Sequence, residues 1–524
     1  MQKIILGVYK GLFFHTTMDT DKENHEIYGG KSSIQDKFHI IGKGTYGCVV
    51  RPEIIRQNNR PGSRKFISKI QENNRISQSE ISIGKDIQKI SKYQLHFAPI
   101  LEHSPISLSK ITDSSIKDCV DTHTIGTSTT STRTPALALV SNRMHYVGKM
   151  TFRKYFYSLL VEHTLTKPLS IPPVQLSHKH MHRYMGKLVD AHLYLLHSLT
   201  LLNRQGILHL DIKENNVMYN KENDVFIMID FGLGVQTSTL EPSTYAKTSI
   251  HPFAILSERY WPWPIEMVMM AYIARQIIVS PTNRGVDESK FSSKIPEQNL
   301  QEMKRYSTLY LSNNRTLQMA IIDEKDRKNF ETRLHTWIST FKNRTWKDMW
   351  QQVLASHKTW DHYGLTVMIL GEMSNMGIIE TVMEFTRQDV TKNPKTKQQT
   401  EILVETRPSV LENIIPVVGK GSPDTKKPFF SFLTKYIETM KEIILADPAK
   451  RNSPEDMSVV VKNIFRHLDK SSYRKALEQL NRSLNTKEQK KKIKDVELRE
   501  TLRDISEEEE LHKQANIVVV RRRQ

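Results

Sequence analysis

The chain has 524 residues, 38% of them hydrophobic and 25% charged, with a formal net charge of +19. That length carries two or three domains with an ample core, and the charge suits acidic protein substrates, nucleic acid or an anionic membrane surface, although much of it belongs to a solvated surface and a polar tail. No run approaches the roughly 18–20 apolar residues of a membrane span, and two cysteines, Cys48 and Cys119, are too few for a disulfide framework, which implies a reducing compartment.

Residues 1–36 show no periodicity and read as an N-terminal extension. The apolar stretch 4–14 is short, interrupted by Lys10 and followed by no clean cleavage site, so it does not read as a secretion signal. Strand patterning starts near Phe38 and leads into Ile41-Gly42-Lys43-Gly44-Thr45-Tyr46-Gly47-Cys48-Val49. Glycines at these spacings let a strand–turn–strand bring backbone N–H groups against phosphate oxygens without a Cβ clash. The alternative is a glycine hairpin with no ligand.

The short strand 66–70 carries Lys69, an ammonium that needs an anionic partner once enclosed. Ile76, Glu80, Ile83, Ile87 and Ile90 recur at steps of four, three, four and three, one stripe of a helix. Glu80 lies on that stripe and faces inward, whereas Glu72 is too close along the chain to fold back on Lys69. A lysine snorkelling to water, with Lys65 as its rival, is the plainer reading.

Residues 118–135, rich in Ser and Thr, read as a loop, and a strand follows over 136–144. A long helix is expected over about 179–203, with Met185, Leu188, His192, Leu195, Leu199 and Leu202 on one face and Gly206 placed to stop it. Short apolar strands follow at 217–219 and 225–229. The segment 267–360 is mixed helix and loop, and the pattern is helical from about 425 onward. In the tail, Tyr473, Leu477, Leu480 and Leu484 are spaced as one helix face that a partner helix could meet. No internal repeat is present.

The chemistry concentrates in His209-Leu210-Asp211-Ile212-Lys213-Glu214-Asn215-Asn216, followed fourteen residues after Asn216 by Asp230-Phe231-Gly232. Phosphoryl transfer needs a phosphate cradle, neutralising charge, metal ligands and a base that orients the attacking hydroxyl. One aspartate here can accept a hydroxyl proton, an asparagine and a second aspartate can bind magnesium, and a lysine can reach the transferred group. A lone Asp is more often a turn or cap; two such motifs after a glycine loop and an enclosed lysine are not.

The set G-x-G-x-x-G-x-V, strand lysine, H-x-D-x-K-x-x-N and D-F-G resembles the eukaryotic-type protein kinase superfamily over about residues 38–456. The resemblance implies an α+β, bilobal fold with a small β-rich N-lobe and a larger helical C-lobe. It implies ATP as phosphoryl donor, Mg2+ (with Mn2+ as a substitute) as metal, and protein substrates. Asp211 would be the catalytic base, Lys213 the contact to the γ-phosphate, and Asn216 and Asp230 the metal ligands. Lys69, paired with Glu80, would hold the α- and β-phosphates, residues 41–49 would cover them, and His145 and Val147 would hold adenine in the hinge after Met144. A lysine two positions after the base resembles serine/threonine rather than tyrosine kinases. Tyr260-Trp261-Pro262-Trp263-Pro264-Ile265-Glu266 stands where such kinases close the activation segment, and Asp447-Pro448-Ala449-Lys450-Arg451 resembles their D-P-x-x-R motif, so Glu266 should pair with Arg451. Trp360-Asp361-His362-Tyr363-Gly364 resembles the start of the central helix, whose Asp braces the catalytic loop. The glycine-loop variant and the closing segment are also similar to kinases of large cytoplasmic DNA viruses, iridovirus-like ones in particular, which implies the host cytoplasm and packaging in the virion.

The expected organisation is an extension (1–36), an N-lobe (37–147), a C-lobe (148–456) with an insertion (267–355) before the central helix, and a charged helical tail (457–524). The insertion of about 80 residues need not disturb the fold, since each doubling of loop length costs only about 0.6 kcal/mol; its Trp337, Trp346 and Trp350 imply that it packs. Ile67 replaces a usual alanine beside the adenine. Leu210 replaces the usual Arg before the base, so a phosphate in the activation segment loses its main partner there. The rivals are a catalytically weak pseudokinase scaffold, opposed by the presence of Lys69, Asp211 and Asp230; a small-molecule kinase, opposed by the motifs of the C-lobe; and a nucleic-acid-binding protein, for which only charge speaks and contact would be accessory.

Overall fold

The structure, a computed structural model, describes residues 38–44, 47–54, 63–106, 113–114, 116–119, 139–161, 178–240, 253, 256–277, 286–319, 321–375, 378–379, 382–383 and 423–469. The extension 1–36, Thr45 and Tyr46, residues 55–62, the Ser/Thr-rich segment from 120 to 135 and the helix face expected from Tyr473 to Leu484 lie outside the described residues.

The N-terminal part is built on a five-stranded sheet. Its strands are β1 (His39–Gly44), β2 (Gly47–Arg51), β3 (Phe66–Glu72), β5 (Glu102–Ile106) and β6 (Leu139–His145), in the spatial order β1-β2-β3-β6-β5 with every neighbour antiparallel. Because side chains alternate across a strand, the register sorts residues onto two faces. Val49, Lys69 and Asn142 are cross-strand neighbours on one face, and Cys48, Ile70 and Ser141 on the other. At Gly47, with φ +154°, a Cβ would meet the Ile70 carbonyl at 2.0 Å, so only glycine lets β1 and β2 turn this tightly over β3.

Helix α1 (Arg75–Ile87) opens on a capping box: Asn74 accepts from the Ile76 and Ser77 amides, and the Ser77 hydroxyl is reached by the Asn74 N–H. It buries Ser77, Glu80, Ile81, Ile83, Gly84 and Ile87. The expected stripe is thus realised, with Ile90 just past the helix end.

Two cysteines are too few for a disulfide framework, yet they form one bond. Cys48 and Cys119 are joined as a disulfide across 71 residues, on the face of the sheet away from Lys69. They sit in an apolar cluster with Val50, Ile54, Ile70, Ile116 and Leu139. Period-two alternation puts Cys48 on that face, and the short helical segment ending at Cys119 brings the partner, so the pairing depends on a topology that a count of cysteines cannot see. The inference of a reducing compartment from cysteine content falls with it.

The remainder is mainly helical. In chain order come α2 (Phe152–Val161) and α3 (His178–Arg204), the short strands β7 (Ile207–Leu208), β8 (Val217–Asn220), β9 (Val225–Ile229) and β10 (Val235–Gln236), then α4 (Ile265–Ile277), α5 (Glu288–Phe291), α6 (Glu297–Asn313), α7 (Glu324–Ser339), α8 (Trp346–Leu354), α9 (Trp360–Asn375), α10 (Pro423–Ile444) and α11 (Pro454–Asp469). The α+β class and the two-lobed plan expected from the sequence are the ones observed. Strand β4 (Phe97–Ala98) pairs in parallel with β9, and so links the chain leaving α1 to the sheet β4-β9-β8 beneath the cleft. Gly206 ends α3 with φ +72°.

Helices α3, α4 and α9 run through one continuous core; in α9 the residues from Trp360 to Leu370 are all buried. The helices between α4 and α9 belong to that same core. Trp346 and Trp350 are among the largest fully buried side chains, Trp337 is half-buried against the same core, and Tyr310 donates to the Trp263 carbonyl at 3.1 Å and bonds the Tyr363 hydroxyl at 2.8 Å. Truncating either buried tryptophan would cost about 3–5 kcal/mol. Helix α4 buries every residue from Ile265 to Ala274 and also Ile277, and α11 buries Met457, Val461 and Ile464.

Candidate active site

Two of the five non-glycine residues with positive φ among the described residues are Leu210 (60°) and Asp230 (63°). Such conformations cost on the order of 1–3 kcal/mol each and persist where the surroundings over-determine them. Here the surroundings do. Asp361 at the start of α9, 2% exposed, accepts from the His209 and Leu210 amides, both at 2.7 Å. The Trp263 indole donates to the Leu210 carbonyl at 2.8 Å. His209 donates from Nε2 to the Ile229 carbonyl (3.0 Å), which leaves Nδ1 to accept the Asp211 amide (3.2 Å). The loops bearing Asp211 and Asp230 are thereby tied together and to the central helix.

Asp211, 6% exposed, is surrounded by donors. Lys213 Nζ reaches Oδ2 at 3.0 Å and Asn216 Nδ2 reaches the same oxygen at 2.8 Å, as well as the Asp211 carbonyl at 3.0 Å. The Tyr260 hydroxyl donates to Oδ1. Burial pushes the Asp211 carboxyl above its ordinary value, opposed by the Lys213 charge and the Tyr260 hydrogen bond.

Across the cleft, Lys69 Nζ lies 2.8 and 2.9 Å from the two Glu80 oxygens and 2.8 Å from Asp230 Oδ1. Gln71 adds a donor to Glu80 Oε2 at 3.2 Å. Enclosure would lower the Lys69 ammonium, but the charges of Asp230 and Glu80 outweigh it and raise the group. Enclosure would likewise raise Asp230; 43% of its side chain opens to the cleft, and the Lys69 charge holds it down at about 2. Burial pushes Glu80 up against the pull of Lys69. At Gly232 a Cβ would stand 3.3 Å from Asp230 Oδ1 and 3.9 Å from Lys69 Nζ, so a glycine keeps this corner open.

These positions fit a magnesium–nucleotide pair. Both Asn216 N–H groups point to Asp211, which turns its amide oxygen away as a free acceptor, and Asp230 presents its second carboxylate oxygen to the cleft. Those are hard oxygen donors suited to Mg2+. Among the described residues no cluster of three or more His, Cys, Asp or Glu could hold a metal by itself, so phosphate oxygens and water would supply the remaining ligands.

The structure therefore brings Lys69, Glu80, Asp211, Lys213, Asn216 and Asp230 to one cleft. Of the expected cradle, Gly42 and Val49 face one another across β1 and β2, in the same row as Lys69, and Ile41 is 43% exposed. Thr45 and Tyr46 lie outside the described residues, as does the side chain of Lys43. The Cys48 sulfur is bonded to Cys119 on the far face of the sheet, so any part of Cys48 in a phosphate cradle is a backbone one. Ile67 and Met144 are cross-strand neighbours on the Lys69 face. The His145 ring packs on Phe66 (4.9 Å). Sequence reasoning missed Gln71 and the contact of Tyr260 with Asp211; nothing in an aromatic–proline run signals where a phenol will point.

No family model and no curated protein matches this chain. Among solved structures it is similar to the crystal structure of a Stt7 homolog from Micromonas algae soaked with ATP, at 12% identity and a TM-score of 0.36, over 83% of this chain and 96% of that one. No helix among the described residues is long and apolar enough to cross a membrane.

Proposed function

We propose that this protein is an ATP- and Mg2+-dependent protein kinase that phosphorylates serine or threonine. The observation that carries this reading is the convergence of Lys69, Glu80 and Asp230 on one side of the cleft with Asp211, Lys213 and Asn216 on the other. Asp211 orients the acceptor hydroxyl and takes its proton as the oxygen–phosphorus bond forms. Lys213, on the same carboxylate, neutralises charge on the transferred phosphoryl group, and Lys69, fixed by Glu80, anchors the phosphates that remain. Asn216 and Asp230 would hold the magnesium, which supplies charge neutralisation between the phosphates. Preference for serine or threonine rests on Lys213 two positions after the base. Placement among kinases of large cytoplasmic DNA viruses, and with it the host cytoplasm, rests on the short glycine-loop and closing strings alone.

The test is transfer of radiolabel from ATP to casein and histone H1 with Mg2+, followed by phosphoamino-acid analysis. The expected result is label on serine or threonine, reduced about 10²–10⁴-fold in Asp211→Asn with nucleotide binding retained. Equal transfer by that variant overturns the assignment.

A further inference from the structure

We infer that Tyr260 is a gate on the acceptor position: its hydroxyl occupies the oxygen of Asp211 that an incoming substrate hydroxyl must use, and substrate displaces it. The inference deepens the kinase reading and rests on it.

The geometry leaves an acceptor one way in. A carboxylate oxygen offers about two lone-pair sites, and Asp211 Oδ2 already receives Lys213 and Asn216. Oδ1 is the oxygen open to a new donor, and there the Tyr260 hydroxyl stands. The Asp211 side chain is 9% exposed, so there is little room around the phenol for a second hydroxyl or a water.

Tyr260 is mounted to do this. Its ring meets Trp263 edge to face at 4.9 Å, and Trp263, 4% exposed, is pinned through its indole N–H to the Leu210 carbonyl, one residue before the base. The gate is fixed to the loop it closes. The Tyr260 side chain itself is only partly buried, so release does not require the core to open. The consequence follows from population shift: an acceptor that binds only the open state has its apparent affinity reduced by the open fraction. Water competes for the same oxygen, so the closed state also suppresses transfer of the phosphoryl group to water.

Tyr260→Phe keeps the ring on Trp263 and removes the hydroxyl; Tyr260→Leu is the second variant, and thermal melting establishes that each is folded. With Mg2+ and ATP, three quantities are measured: hydrolysis without protein, KM for casein or histone H1, and KM for ATP. A hydroxyl-to-carboxylate hydrogen bond corresponds to roughly a tenfold factor or more. The expected result is hydrolysis raised, and acceptor KM lowered, by about that factor, with KM for ATP unchanged. If folded variants match a transferring wild type in hydrolysis and acceptor KM, or lose kcat at constant KM, the gate is overturned and the kinase reading stands. If wild type and both variants transfer nothing to protein or water, the kinase reading fails and the gate with it.

Discussion

Arg451 and Glu266 form a two-point ion pair, Nη1 to Oε1 at 2.5 Å and Nη2 to Oε2 at 3.2 Å, across 185 residues and with side chains 1% and 0% exposed. Arg451 also donates to the Ile443 carbonyl and to Thr359 Oγ1, both at 3.2 Å, and Ser356 donates to Glu266 at 3.4 Å. The pair locks the start of α4 to the chain leaving α10. Removing one partner strands a buried charge, which costs about 3–5 kcal/mol. Glu266→Ala should therefore lower stability by that amount in urea titration. The double variant Glu266→Met with Arg451→Met should recover most of it. A single variant within 1 kcal/mol of wild type would show that the pair is not holding the fold.

Lys69 and Asp230 should separate in nucleotide binding. In the proposed reading Lys69 anchors phosphate, so Lys69→Met should weaken binding of a fluorescent ATP analogue by about tenfold both with Mg2+ and with EDTA. In the same reading Asp230 is a metal ligand, so Asp230→Asn should abolish the gain in affinity that Mg2+ gives, leaving binding in EDTA little changed. Identical responses of the two variants to Mg2+ would contradict these roles.

What the sequence made legible was whatever obeys local rules. The stripe through Ile83 and Ile87 predicts α1, and with it a Glu80 that faces Lys69. His209 to Asn216 and Asp230 to Gly232 sit on loops between short apolar strands, so their meeting follows once those strands pair. Asp361 and the Glu266–Arg451 pair were legible only through resemblance, because 152 and 185 residues separate the partners and no local pattern connects them. Cys48 with Cys119 was illegible for the same reason. Tyr260 is a different case. The direction of its phenol depends on the packing of Trp263, which no local pattern encodes.

Glu372 on α9 gives a pH-dependence. Burial raises its carboxyl to about 7, opposed by Arg153 and by the Tyr184 hydroxyl, which donates to it at 3.2 Å. The folded state therefore holds this proton in a window where the unfolded chain, near the ordinary value of 4.5, has released it. Stability contributed by the protonated form is complete below about 4.5 and is lost as pH rises toward 7. The melting temperature should fall by a few degrees between pH 5 and pH 8, and Glu372→Gln, a neutral isostere, should remove most of that fall. A variant whose melting curve tracks wild type across this range would rule the group out.

The last prediction concerns activation. In kinases switched on by phosphorylation, the Arg before the base receives the phosphate through charge-assisted hydrogen bonds. Leu210 stands at that position, 3% exposed and without a donor, and its backbone is already held by Asp361 and Trp263. The chain just after β10 is anchored by other means. Trp350 of α8 donates its indole N–H to the Leu240 carbonyl at 3.1 Å, and the Thr237 amide bonds the Gly206 carbonyl at 2.7 Å. Packing from α8 thus holds this segment without a phosphate. Thr237, Ser238 and Thr239 lie in this anchored turn; Ser243, Thr244, Thr248 and Ser249 lie outside the described residues. Changing all seven to alanine, or treating the protein with phosphatase, should keep activity within about tenfold of the untreated enzyme, or about 1.4 kcal/mol in the barrier. Trp350→Ala should lower activity more than either treatment, because it removes the anchor itself. A folded seven-alanine variant that loses more than tenfold, with Trp350→Ala the milder change, would place control in phosphorylation instead.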